Sequence, residues 1–274
     1  MAGGANKLFL KEKEQFLKAN LIEVNVAARL LITAARFNVD ATKAPLASAG
    51  RLGRTGLARQ ITTDDKAAGV FDFDLVKSPT KAQLIKNGRQ TEVPMYQLKA
   101  WGDKVSDRTA KPDGTVEYRK PKHAHPITAY WVPWNPNSCY SARLGAQADF
   151  FFTAAMDGCS LAISSGASPV VTHANYKSKT RPDVASESRT MRHIQQRHAD
   201  LGVDVAVSLR KSQYVASSAQ KQQGINKLVT VVGFRDPATN SWSFYWQRHK
   251  VIYGDATIGT HTQHVLTDRL VPLV

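Results

Sequence analysis

The chain has 274 residues, 42% of them hydrophobic, and carries 37 Lys and Arg against 22 Asp and Glu, a formal net charge of +15. A chain of that length and apolar content can bury a sizeable core, which excludes disorder of the whole and, with 2 cysteines, any disulfide scaffold as the source of stability. Arg29 and Arg36 interrupt the longest apolar stretch before it reaches the roughly 18–20 residues of a membrane-spanning helix.

From Leu8 to about Asn38, apolar residues such as Phe16, Leu17, Leu21, Val26 and Leu30 recur at helical spacing between Lys and Glu, which predicts one or two amphipathic helices. The first residues carry Lys and Glu where a secretory signal has its apolar stretch, so classical export is not expected. Residues 41–60 mix Ala, Ser, Gly and Arg without periodicity and read as a loop or linker. This divides the chain into a helical N-terminal extension with linker, residues 1–60, and a main domain, residues 61–274.

Beyond about Asp64 the pattern changes to short runs rich in β-branched and aromatic residues. Strands are expected at Val70 to Val76, Glu92 to Leu98, Thr128 to Val132, Phe150 to Ala155, Ser160 to Ser164 and Pro169 to Tyr176. A helix follows from about Ser186 to Asp200, with Gly202 where a helix C-terminus favours it. Strands resume at Val203 to Leu209, and Lys227 to Phe234 and Ser241 to Arg248 form a hairpin across Asp236–Asn240. Strands with few intervening helices predict an α+β fold with a β-sandwich-like, mostly antiparallel core flanked by helices.

The segment from Phe150 to Asn175 carries the chemistry. Asp157-Gly158 makes a turn between two strands, with Gly158 free to take a positive φ and Cys159 emerging after it as an exposed thiol. His173 lies 14 residues further on, in a strand that a short connection folds back beside Cys159. A histidine next to a thiol can take its proton or stabilise its thiolate, which makes sulfur a nucleophile near neutral pH. Thr153, six residues before Cys159, has a hydroxyl that can orient the imidazole. Taken singly, a Cys after a Gly in a strand is commonly a small core residue, and a His on an apolar strand is commonly structural.

Thr153-Ala-Ala-Met156-Asp157-Gly158-Cys159 resembles the Thr-x-x-Leu-Ser-Gly-Cys signature of bacterial toxin glutamine deamidases of the cytotoxic necrotizing factor and Burkholderia lethal factor type. The chemoreceptor glutamine deamidase has the same Thr-to-Cys interval. The resemblance implies a secreted toxin or virulence effector: a cysteine-dependent hydrolase that converts a glutamine of a target-cell protein to glutamate. Cys159 would be nucleophile, His173 acid and base, and Thr153 the support of the histidine. It implies no metal and no cofactor, export by a non-classical route and action in the target-cell cytosol, with a delivery partner or an anionic membrane surface as further contacts. The match lies in the segment 150–175, and residues 1–60 have no counterpart. Met156 stands for Leu and keeps apolar volume, whereas Asp157 stands for Ser and places a carboxylate near the thiol, which raises its pKa. The same nucleophile can also carry out transglutamination or proteolysis, and pocket shape decides between them.

Other candidates are weaker. Cys139 sits among Trp131, Pro133, Trp134 and Pro136 in what reads as a packed loop, although a Cys139–Cys159 disulfide would silence the thiol. His123 with His125, and His261 with His264, lack a Cys, Asp or Glu partner at metal-site spacing. His193 and His198 are five apart on the predicted helix and share no face. Nucleic-acid binding is the alternative function, but basic residues are spread over both halves of the chain and the aromatic stretch Trp242 to Lys250 alternates as a half-buried strand does. The dispersed charge better suits attraction to an acidic protein or membrane surface, and a monomer is expected.

Overall fold

The computed structural model describes residues 2–24, 69–86, 89–100, 108–110, 116–118, 125–134, 136–178, 180, 186–252 and 263–272. Two short helices, α1 (Ala2–Lys11) and α2 (Lys13–Ala19), lead into strand β1 (Leu21–Glu23). Long strands β2 (Gly69–Lys86) and β3 (Arg89–Ala100) follow, then the small ribbon of β4 (Arg108–Ala110) and β5 (Val116–Tyr118). The central strands are β6 (Ile127–Val132), β7 (Ser138–Arg143), β8 (Phe150–Thr153), β9 (Ser160–Ser164) and β10 (Val170–Asn175). Helix α3 (Glu187–Asp200), strand β11 (Val205–Leu209), a 3-10 turn (Lys211–Gln213) and helix α4 (Ser218–Gln222) precede β12 (Ile225–Asp236), β13 (Ser241–Ile252) and β14 (Gln263–Pro272).

The fold is α+β, with two packed sheets. The larger has the order β1-β3-β2-β14-β13-β12-β8-β6, and β2 also pairs with β6, so six of its strands close into a ring. The smaller has the order β11-β9-β10-β7 and is antiparallel throughout. Strand alternation builds the layers. Phe150 and Phe152 of β8, Ala129 and Trp131 of β6, and Val232 and Phe234 of β12 face one way, into a core shared with Phe9, Phe16 and Leu17 of α1 and α2. Phe151, Tyr130, Val132, Val229, Val231 and Phe244 face the other way, where they meet Tyr140, Leu161, Ile163 and Val171 of the smaller sheet. The outer face of that sheet packs Cys139, Ala162 and Ala174 against Met191 and Ile194 of α3. The order is therefore helices, large sheet, small sheet, helix. Gly233 sits where the inner layer is tightest: a Cβ there would lie 2.9 Å from the Phe244 ring and 3.0 Å from Phe151 Cβ.

Each expected strand overlaps an observed one, those at Phe150 to Ala155, Pro169 to Tyr176 and Val203 to Leu209 running one or two residues beyond it, and α3 matches the expected helix, capped by Ser186 and ended by Gly202 at φ 67°. Five strands, β1, β4, β5, β7 and β14, were not anticipated. The helical pattern expected to continue to Asn38 stops at Ala19, because Leu21–Glu23 instead pair in parallel with Met95–Gln97 of β3. Its continuation after Val24, the linker at 41–60 and the boundary near Asp64 lie outside the described residues. The stretch Trp242 to Lys250 is a core strand, with Trp242 and Phe244 buried between the sheets.

Two buried amides stitch residues 2–24 into this core. Asn6 accepts from Leu75 N at 2.8 Å and donates to Asp74 Oδ1 at 2.7 Å and to His125 O at 2.8 Å. Gln247 accepts from Ile22 N at 3.2 Å and donates to Leu17 O at 2.7 Å and Asn20 O at 2.8 Å. Removing such an amide strands several buried backbone groups at once. Gln247→Ala is expected to cost about 2–3 kcal/mol in urea unfolding. Tyr245→Phe, which loses surface hydrogen bonds to Glu14 and Ser243, should change stability by less than about 0.5 kcal/mol. Equal small effects would contradict the stitching role of Gln247.

Candidate active site

The site is assembled at the crossover between the two sheets. After β8 the chain makes one further bridge to the large sheet, Met156 N donating to Val229 O at 2.8 Å and Val229 N to Met156 O at 3.0 Å. It then bends at Asp157-Gly158 and enters β9 of the small sheet, so Cys159 is the first residue across. The left-handed glycines among the described residues are Gly166, Gly202 and Gly224. Gly158 makes its bend without the positive φ expected of it, because the chain only changes sheets here and does not reverse in a tight hairpin.

His173 pairs with Leu161 and Ala174 with Ser160. One more step of that register sets Asn175 opposite Cys159 and makes His173 the diagonal neighbour of Cys159, within reach of an imidazole. Alternation settles the faces. Val171, His173 and Asn175 point between the sheets, as do Leu161 and Cys159. Thr172 and Ala174 point towards α3, where Thr172 Oγ1 meets Ser141 Oγ at 2.8 Å and His198 Nε2 at 3.0 Å.

Thr153 arrives from the opposite sheet. Its hydroxyl donates to Val132 O at 2.6 Å and lies 2.6 Å from His173 Nδ1. A hydroxyl has a single proton to give, and here the Val132 carbonyl takes it, so the bond to the ring must be Nδ1–H donating to Oγ1. The imidazole is thereby fixed as the tautomer whose Nε2 carries a lone pair. That atom is buried and has no hydrogen-bond partner. The expected association of Thr153 with His173 is present; the register puts Cys159 on the same face of the small sheet, with no hydrogen bond between its sulfur and the ring.

The thiol is not exposed, contrary to the sequence expectation: Cys159 is 0% and His173 1% exposed. The reason is packing, since Cys159 lies in the cluster formed by Val132, Tyr140, Met156, Leu161 and Tyr214, and Tyr214 donates its hydroxyl to Cys159 O at 2.8 Å. Burial pushes the thiol pKa well up, and the Asp157 carboxylate adds to this, as its position in the sequence implied. The backbone N–H groups of Gly158 and Asp157 and the indole N–H of Trp134 act the other way, favouring the thiolate. Burial also lowers the His173 pKa to about 3. The resting site is a neutral thiol beside a neutral imidazole, with Asp157, Gly158 and Trp134 the neighbouring groups that reach solvent.

Cys139 cannot substitute. It pairs with Ala174 and its side chain leaves the small sheet on the α3 side, away from His173. Neither cysteine is in a disulfide, and the opposed faces rule out the pairing considered from sequence. His193 stacks on Tyr176 at 3.8 Å and borders an open groove of about 460 Å³ with Ser186, Arg189 and Arg192, whereas His198 is buried under the small sheet. His125 is exposed and His264 lies on β14; His123 and His261 lie outside the described residues. Trp134, Asn175 and Tyr214 are the neighbours of the thiol that sequence reasoning missed. The alternation of Asn175 with His173 was readable, but the approach of Tyr214 from beyond α3 was not.

Compared with known proteins, the chain matches no family model and no curated protein.

Two outcomes follow from these environments. Asp157→Asn should raise the rate of Cys159 alkylation by iodoacetamide at neutral pH roughly threefold or more, and leave Cys139 unchanged, because a like-charge neighbour of the thiolate is removed. An unchanged rate would show that Asp157 does not control the thiol. For His173, the unfolded chain takes a proton near pH 6.5 and the fold only near pH 3. The unfolded state therefore binds more protons in between, and stability falls as pH drops through that window. His173→Gln should flatten the decline, by at most about 1.4 kcal/mol per pH unit, in urea titrations between pH 6.5 and 4. An unaltered slope would place the acid sensitivity elsewhere, with His193 and His198, which burial depresses in the same direction, as its sources.

Proposed function

We propose that the protein is a cysteine-dependent protein-glutamine deamidase, a toxin-like effector that hydrolyses the side-chain carboxamide of a target-cell protein. The observation that carries this reading is the relay from His173 Nδ1–H to Thr153 Oγ1 and on to Val132 O, which leaves Nε2 as a base on the face that Cys159 occupies. The likeness of Thr153 to Cys159 to the toxin deamidase signature supports it independently. Export by a non-classical route and action in the target-cell cytosol belong to the same proposal, as do a protein partner carrying the reactive glutamine and a division of labour between residues 1–60 and 61–274.

Catalysis begins when a glutamine side chain enters between Trp134 and the Asp157-Gly158 bend, the neighbours of the thiol that reach solvent. His173 Nε2 takes the Cys159 proton as sulfur attacks the carboxamide carbon, so the C–S bond forms as the carbonyl π pair moves to oxygen. The backbone N–H groups at Asp157 and Gly158 and the Trp134 indole N–H lie where negative charge develops. Collapse of the tetrahedral intermediate breaks the C–N bond; His173 returns its proton to the leaving nitrogen and ammonia departs. Water then attacks the thioester while Nε2 takes its proton, the C–S bond breaks, and glutamate and the free thiol are released. Nε2 serves as base and acid in turn only if Nδ1 keeps its proton, which is the role of Thr153.

The test is peptide mass spectrometry of target-cell extract incubated with the full chain. A specific glutamine should become glutamate with release of ammonia. Cys159→Ser should abolish the conversion by about a thousandfold or more. Thr153→Val should reduce it and Thr153→Ser retain most of it. Conversion that survives Cys159→Ser, or a cut backbone in place of a converted side chain, would overturn the reading. Preferential incorporation of a labelled primary amine would move it to transglutamination.

A further inference from the structure

The buried polar atoms on the thiol face form a set that the proposed chemistry has not yet used in full. His173 Nε2 and Asn175 Oδ1 are buried and without a hydrogen-bond partner, and the buried Trp134 Nε1–H has only the Cys159 sulfur, a weak acceptor. Buried polar groups are ordinarily satisfied, so two unsatisfied acceptors and one weakly satisfied donor on the face that carries Cys159 mark a place for a ligand. Their placement is coherent. Asn175 is 8% exposed, shares the inward face of β10 with His173, and stands opposite Cys159 when the β9–β10 register is continued by one step. Trp134 lies against the same cluster and reaches the sulfur closely enough to favour a thiolate. Ser160 Oγ, also unpartnered, is excluded because its side chain alternates to the far face with Ala174.

The three atoms comprise one donor and two acceptors. A primary carboxamide presents the complement: one acceptor oxygen and two N–H donors. Resting on the deamidase reading above, we infer that Asn175 is the amide-selecting residue of this site, its Oδ1 accepting one N–H of the substrate carboxamide while Trp134 Nε1–H donates to the carboxamide oxygen. His173 Nε2 faces the thiol and the leaving nitrogen. This assigns the site to primary carboxamides and disfavours substituted amides, which have at most one N–H to offer and a substituent where Asn175 closes the pocket. It also supplies product release. Hydrolysis replaces the nitrogen with a carboxylate oxygen, which then faces the Asn175 carbonyl oxygen and the nearby Asp157 carboxylate, and this repulsion expels glutamate.

The test compares two substrates that differ only at this contact: benzyloxycarbonyl-Gln-Gly, followed by ammonia release, and its γ-methyl glutamate ester, which has no N–H, followed by methanol release. Asn175→Ala should lower kcat/KM for the carboxamide about tenfold to a hundredfold while ester turnover stays within about threefold of wild type. Asn175 has no hydrogen bond to lose in the resting fold, and Asn175→Leu, close to it in shape, serves if the alanine variant does not fold. Parallel loss on both substrates, or an unchanged carboxamide rate, overturns the role of Asn175 while leaving the deamidase reading standing. Wild-type turnover of neither substrate overturns both.

Discussion

One hydrogen bond joins the two sheets at the place where chemistry is proposed. Thr153 stands at the end of β8 in the large sheet and His173 in the middle of β10 in the small one, and their 2.6 Å contact crosses the interior between them. It exists only because β6 and β8 run parallel with Val132 beside Thr153, so that the threonine proton is already committed to a carbonyl. A hydroxyl with a free proton would leave the imidazole a choice of tautomers. The commitment removes that choice and points the lone pair at the thiol face. Sheet packing thus sets the protonation geometry of the site, and any slip between the sheets would be felt at His173 first.

Burial of the pair has a second consequence. In a dry environment the ion pair of thiolate and imidazolium is disfavoured, and both groups shift towards neutrality, the thiol upwards and the imidazole downwards. Such a site reacts slowly with small electrophiles, because burial opposes the charge separation that activates sulfur. The N–H groups of Asp157, Gly158 and Trp134 lie ready for that charge, while the Asp157 carboxylate opposes it. Activation of the sulfur therefore rests on the balance between these N–H groups on one side and burial with the Asp157 carboxylate on the other.

Much of the fold was legible in the sequence because its strands alternate cleanly. Phe150-Phe151-Phe152 and Ile127–Val132 put successive side chains on opposite faces, and α3 carries a Ser cap and a terminal Gly. The hairpin between β12 and β13 was readable from its turn residues. What escaped has physical causes. Ser138–Arg143 holds two Ser, an Ala and a Cys, too little apolar alternation to mark a strand that lies buried between β10 and the large sheet. Leu21–Glu23 leaves the helical pattern because a sheet edge and the Gln247 amide compete for its backbone. At the site, the short-range grouping of Thr153, Cys159 and His173 was visible from spacing and resemblance. The burial of the thiol was not, since it depends on Tyr214 and Trp134, brought in by tertiary packing.

The most direct test of the proposed arrangement is the protonation state of His173 itself, read by long-range nitrogen–proton NMR of the imidazole at neutral pH. The neutral Nδ1–H tautomer should dominate in the wild-type chain and persist in Thr153→Ser, and the preference should be lost in Thr153→Val. An Nε2–H tautomer, or an imidazolium at pH 7, would mean that Nε2 is no base for Cys159 and would contradict the arrangement on which the proposed chemistry rests.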